Sequence, residues 1–225
     1  MLDKKFWQKV FSFVLIAGVI LLTTQQVVQA NKTIGIVGLE SRTNALILSD
    51  YTDIDDLRNS PLVIAQDVFE ETLTNRLPLL KLSAANKTAY AKRVIDNETE
   101  IQASQQILSN SISALEKGDT SQALKIFDET PDYLIYGYIA NLTVTHRESV
   151  ATSNLAVQVK LTARVIDAKT GKLIYLGIGK GKSSNHGGAY RKPLKLGGEE
   201  IDPVCWSEAI KEASIQLVKD IKTQM

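Results

Sequence analysis

The chain has 225 residues, 26 of them basic and 25 acidic, with a formal net charge of +1. Without its first thirty residues it holds 23 basic and 24 acidic side chains, which argues against affinity built on phosphate neutralisation. At 44% hydrophobic and 6% aromatic it is neither a disordered chain nor a polytopic membrane protein, and one cysteine excludes a disulfide scaffold or a cysteine metal cluster.

Residues 1–30 read as a signal peptide. Lys4, Lys5 and Lys9 form a cationic start, Val10 to Leu22 is apolar, and Val28-Gln29-Ala30 places aliphatic and small residues before a cut. The apolar stretch is shorter than the roughly 20 residues a helix needs to cross a bilayer. Cleavage after Ala30 leaves a periplasmic chain; the alternative is an uncleaved anchor in the inner membrane. No cysteine stands near the cut, so no lipid anchor is implied. Residues 31–225 are then one domain.

Residues 33–39, TIGIVGL, are apolar and β-branched, as an interior strand requires. Residues 40–60, with Asp50, Asp53, Asp55 and Asp56, read as an exposed loop. Ser60-Pro61 starts a helix, serine as cap and proline at its first position. Ala65, Phe69, Leu73 and Leu77 form its apolar stripe, Pro78 stops it, and Leu79 to Ser83 suit a short strand. Residues 86–128 are a helical tract of the outer layer. Ile101, Leu108, Ile112 and Leu115 share a face, Gly118 ends the turn, and Asp119 or Thr120 caps a piece holding Ala123, Leu124 and Phe127.

Residues 132–145, DYLIYGYIANLTVT, are apolar on both faces and predict a central strand. Over 155–165 the alternate residues from Leu155 to Val165 are apolar, while Gln158, Lys160, Thr162 and Arg164 point the other way, as in a half-buried strand. Asp167 to Gly171 form a turn, and Leu173 to Ile178 return, completing an antiparallel meander. Residues 179–200, rich in glycine and lysine, read as a long flexible connection. Asp202-Pro203 caps a last helix with Trp206, Ile210, Ala213, Leu217 and Ile221 on one stripe. The expected fold is one α/β domain: a mixed sheet with a C-terminal three-stranded antiparallel meander, covered by helices.

No catalytic, cofactor-binding or metal-ligating residue emerges. LGIGKGKSS (176–184) holds Gly181-Lys182-Ser183, but a P-loop needs glycine where Leu176 stands, and no helix follows. The Asp53 stretch has Arg58 and Ile64 where a calcium loop needs glycine and glutamate. Glu70 and Glu71 are helix neighbours about 100° apart, not a facing acid/base pair; Glu199-Glu200 is a second adjacent pair. His146 and His186 have no recognisable nucleophile setting, so a small hydrolase is disfavoured. Cys205 reads as a buried small apolar residue. Sequons at Asn31, Asn86, Asn97 and Asn141 matter only in a eukaryotic secretory pathway. Lys180, Lys182, Arg191, Lys192 and Lys195 form a basic cluster for at most peripheral membrane contact or another anionic partner; with Tyr190 as its one aromatic it does not suit nucleic acid. No small-molecule substrate is indicated.

PDYLIYGYIANLTV (131–144), LAVQVKLTARVIDAKTGKLIYLGIGKGKS (155–183) and WSEAIKEASIQLVKDI (206–221) resemble the curli-production assembly/transport component family, often called CsgG-like. TIGIVGLESRT (33–43) and the helix after Ser60 fit its order of elements. The resemblance implies an α/β periplasmic domain, whose pore-forming type is a lipoprotein ring that secretes curli subunits across the outer membrane. Two departures limit it. No cysteine stands at the signal cut. The stretches where two membrane hairpins would insert, THRESVATSN (145–154) and 179–200, lack spanning strands of about 9–11 residues with one apolar face. The expected function is therefore non-enzymatic protein–protein contact in outer-envelope assembly or secretion, with envelope proteins or further copies of the chain as partners. The alternative is an accessory or activator binding module of cell-wall synthesis or translocation machinery.

Overall fold

The computed structural model describes residues 32–43, 46, 59–77, 81–82, 98–127, 129–148, 153–186, 193–196 and 198–224. The expected signal peptide, the acidic loop at Asp50 to Asp56, Asn86 and Asn97 lie outside them. The strands are β1 (Thr33–Ser41), β2 (Lys81–Leu82), β3 (Tyr133–Glu148), β4 (Ser153–Asp167), β5 (Leu173–His186), β6 (Leu194–Leu196) and β7 (Glu199–Ile201). The helices are α1 (Pro61–Arg76), α2 (Glu98–Glu116), the single turn α3 (Ser121–Leu124) and α4 (Pro203–Gln224).

Five strands form one mixed sheet in the order β2-β1-β3-β4-β5. β1 runs parallel to β2 and β3, while β3, β4 and β5 are the expected antiparallel meander. β1 and β3 are apolar on both faces because both faces are covered there. Ile34, Ile36 and Leu39 enter one core, and Val37 enters the other. Alternation alone sends Val37 to the second face; the register shift between Ile36 and Gly38, with Gly38 at φ 135°, returns Leu39 to the face of Ile34 and Ile36. β3 divides likewise: Ile135 and Ile139 face one core, Leu134, Tyr136 and Tyr138 the other.

Helices α1 and α4 cover the first face. Ser60 caps α1, its hydroxyl accepting from the Val63 amide, and Leu77 closes it by donating its amide to the Leu73 carbonyl. Asp202 accepts from the Val204 amide at the start of α4, and the expected stripe from Trp206 to Ile221 is buried. The Trp206 indole donates to the Pro61 carbonyl at 2.8 Å, joining the starts of α1 and α4. On the second face Leu108, Ile112 and Leu115 of α2 pack with Ala123, Ile126 and Phe127. The Ile101 side chain lies outside the described residues. At the turn before α3, Asp119 and not Thr120 supplies the bond, accepting from the Ser121 amide. The Asp167 carboxylate accepts from the Lys169 and Thr170 amides, and Gly171 takes φ 67°.

One expectation is overturned. Over the described residues of 179–200 the expected long flexible connection gives way to strand: β5 continues through Gly179 to His186, and β6 pairs with β7. Leu194, Leu196 and Ile201 of that hairpin lie in the first core. Lysine and glycine alternate along β5 because its two faces differ. Lysines point to solvent, and glycines lie under a helix. A second expectation is narrowed. Among the described residues helices cover one face from β1 to β5, but on the other they reach β1, β3 and the end of β4, and the outer face of β5 is left open.

Candidate functional site

The open part of the sheet is the candidate contact surface, and β5 builds it. Tyr175, Gly177, Gly179, Gly181 and Ser183 point toward α4; Ile174, Leu176, Ile178, Lys180 and Lys182 point away. The glycines set how close α4 comes. A Cβ on Gly181 would stand 1.8 Å from the Ala209 carbonyl oxygen, and one on Gly179 2.0 Å from that of Ala213. A Cβ on Gly177 would overlap the Tyr175 hydroxyl, so this glycine makes room for the tyrosine ring. Tyr175 is buried, and that burial pushes its phenol up to about 12.

Closeness lets α4 cap part of the sheet edge. The Lys180 amide donates to Gln216 Oε1 at 2.9 Å, and the Lys182 amide to Glu212 Oε2 at 2.7 Å. The Ser183 hydroxyl donates to Glu208 Oε2 at 2.8 Å. Amides of this parity therefore face away from β4. Leu176 and Ile178 share the parity, and no strand among the described residues lies beyond β5. Their side chains, 53% and 48% exposed, continue with Ile174 as an apolar row on the uncovered face. Leu176 stands opposite Arg164, Ile178 opposite Thr162, Lys180 opposite Lys160, and Lys182 opposite Gln158. An open groove of about 460 Å³ runs over the cationic end, lined by Thr143, Lys160, Lys180, Lys182, Glu212 and Gln216 among others.

A polar cluster borders the apolar end. Arg42 stacks 3.7 Å from the Tyr138 ring centroid and pairs with Glu116 at 2.7 Å; Arg164 lies 3.6 Å from the same carboxylate. Burial opposes the Glu116 charge, but Tyr138, Arg42 and Arg164 outweigh it and hold the carboxyl below its usual range. Burial first, then the neighbouring Glu116, pushes the Tyr138 phenol far up. From sequence Arg164 alone stands out, as a polar-face residue of β4. Its partners come from the residue after β1, the end of α2 and β3, and no local motif joins them.

The sequence-derived candidates separate. Gly181-Lys182-Ser183 lies within β5 with Gly181 against α4, a setting that offers no phosphate cradle. His146 stands on β3 opposite Leu155, and His186 ends β5 opposite Asn154; their side chains lie outside the described residues. Cys205 is buried, which pushes its thiol up. Of the basic cluster, Lys180 and Lys182 are on β5 and Lys195 is on β6, while Tyr190, Arg191 and Lys192 lie outside the described residues. Glu71 is exposed and Glu70 half-buried on α1; Glu199 and Glu200 are exposed on β7. Among the described residues no three His, Cys, Asp or Glu gather as a metal site, and no helix is long and apolar enough to cross a membrane. A second open groove, about 480 Å³, lies between α1 and the start of α4, lined by Glu71, Arg76, Val204 and Lys211 among others.

No protein-family model and no curated protein matches the chain. Solved structures share parts of its shape. The hypothetical protein CT253 from Chlamydia trachomatis aligns over 86% of this chain and 95% of its own, at 14% identity and a TM-score of 0.41. Lipoprotein GNA1162 from Neisseria meningitidis aligns over 86% and 96%, at 12% identity and a TM-score of 0.31. The LpoB C-terminal domain from Salmonella enterica aligns over 68% and 83%, at 18% identity and a TM-score of 0.31.

Proposed function

We propose that this chain is an exported, non-catalytic envelope protein that works by protein–protein contact, as an accessory binding module facing the periplasm. The observation that carries this reading is the open surface of β5. Three large apolar side chains in a row on a strand edge with no further strand beside it among the described residues invite association, and such edges are normally shortened, charged or covered. Export is supported by the cationic, apolar and small-residue succession of residues 1–30.

Pore-type secretion, as in the curli assembly/transport component family, is the second reading, favoured by the quoted sequence segments. Against it, Gly179 to His186 extends the domain's own sheet, and Leu194, Leu196 and Ile201 pack in its core. Those residues support a compact module over a lipid-facing hairpin. The test is a photoreactive amino acid placed in living cells at Leu176 and, separately, at exposed positions such as Val204 and Lys219. Discrete envelope-protein adducts are expected at Leu176. Adducts at none of these positions would overturn the contact reading.

A further inference from the structure

We propose that the open edge of β5 takes one kind of occupant: an extended partner segment with apolar residues at alternate positions, leading into acidic residues. The inference rests on the contact reading above and names the chemistry of the partner. The edge is divided along its length. At Lys180 and Lys182 its outward amides are taken by Gln216 and Glu212 of α4. Before that point no strand among the described residues pairs with Leu176 and Ile178, which are left for a new one, and their side chains stand exposed beside it. A strand added there places every second side chain on the face that carries Ile174, Leu176 and Ile178. Apolar residues at those positions match the row.

Charge selects the residues beyond the apolar part. Lys160 and Lys180 stand directly opposite each other, and like charges so placed repel. Lys182 lines the same groove, and Glu212, whose carboxylate accepts from the Lys182 amide, is its single acidic lining residue, so three ammonium groups outnumber one carboxylate where the α4 cap ends the strand pairing. A segment leaving the edge in this direction crosses them, and carboxylates there relieve the repulsion. A second copy of the chain fits less well. Antiparallel self-pairing about Leu176, which lays Ile174 on the copy's Ile178, also lays Lys172 against the copy's Lys180.

The test uses the purified full chain and a fluorescein-labelled peptide with valine at alternate positions over six residues, followed by three aspartates. A second peptide carries lysines in place of the aspartates. Saturable binding of the acidic peptide is expected, at least about tenfold tighter than the basic one and weakened by salt. Hydrogen exchange at the Leu176 and Ile178 amides should slow on binding. Ile178→Pro removes an outward amide while leaving the bonds to β4, and should reduce binding about tenfold or more. Leu176→Thr, a milder change at an exposed site, should weaken it in the same direction, and circular dichroism confirms that each variant is folded. Equal binding of the two peptides, or undiminished binding by folded Ile178→Pro, would overturn the inference. So would a dimer of the free chain in sedimentation that Ile178→Pro dissociates, since the occupant would then be a second copy. Failure of the peptide with adducts still formed at Leu176 sinks this inference and leaves the contact reading standing. Adducts at no exposed position sink both.

Discussion

Gly181 has no room for a methyl group. Its missing Cβ lets the Ala209 carbonyl lie against the strand, and the same closeness lets Glu212 reach the Lys182 amide. Gly181→Ala must push α4 away or bend β5, an overpacking cost of about 1–3 kcal/mol. Urea unfolding should show that loss, whereas Lys182→Ala beside it, on the solvent face, should change stability by less than about 0.5 kcal/mol. Glu116 makes a different residue-scale prediction. Its folded carboxyl titrates below the ordinary value, so its ion pairs contribute in full above the ordinary carboxylate range. That contribution is lost as pH falls through the folded value. Stability measured from pH 6 downward should therefore fall less steeply in Glu116→Gln than in the natural protein, with the two curves converging in acid. Parallel curves would remove Glu116 from the acid response.

Among the elements, α1 and α4 depend on one another. Trp206 is fully buried, and its indole adds a second hydrogen bond to the Pro61 carbonyl in the first turn of α1. Trp206→Phe keeps most of the apolar contact but loses that bond, at about 0.5–1.5 kcal/mol. Ser60→Ala at the other side of the junction removes the α1 cap, at about 1 kcal/mol. The two sites share this junction, so the double variant should depart from the sum of the singles. Additive losses in chemical denaturation would show that the two helix starts are not coupled.

For the molecule as a whole, the uneven cover of the sheet is the decisive property. Among the described residues the first face is closed by α1 and α4 from β1 to β5, and the second only over β1, β3 and the end of β4. A chain held by contacts of the folded domain, without a membrane-spanning segment, should leave envelope fractions on carbonate extraction. Mass spectrometry should find its amino terminus at Asn31. Retention in the carbonate pellet with residues 1–30 still attached would instead identify an anchored chain.

Much of this architecture is legible from residue order alone, because burial imposes period. Alternation from Leu155 to Val165 marks one wet face, and the i+4 stripes of α1 and α4 mark one dry one. The serine and proline at 60–61 and the Asp167 to Gly171 turn are local devices, readable where they stand. Residues 179–186 defeat the same reasoning. Glycine normally signals a loop, and only the position of a helix 25 to 36 residues later shows that these glycines are a contact surface. The Arg42, Glu116, Tyr138 and Arg164 cluster is hidden for a similar reason, its members being brought together by sheet order and helix placement. Sequence by itself determined most of the strands and helices, Gly179 to His186 and the β6–β7 hairpin excepted, since local periodicity depends on neighbours along the chain. Which strand edge stays open, and what lies beside it, was decided only by tertiary packing, because exposure is a property of what fails to cover a surface.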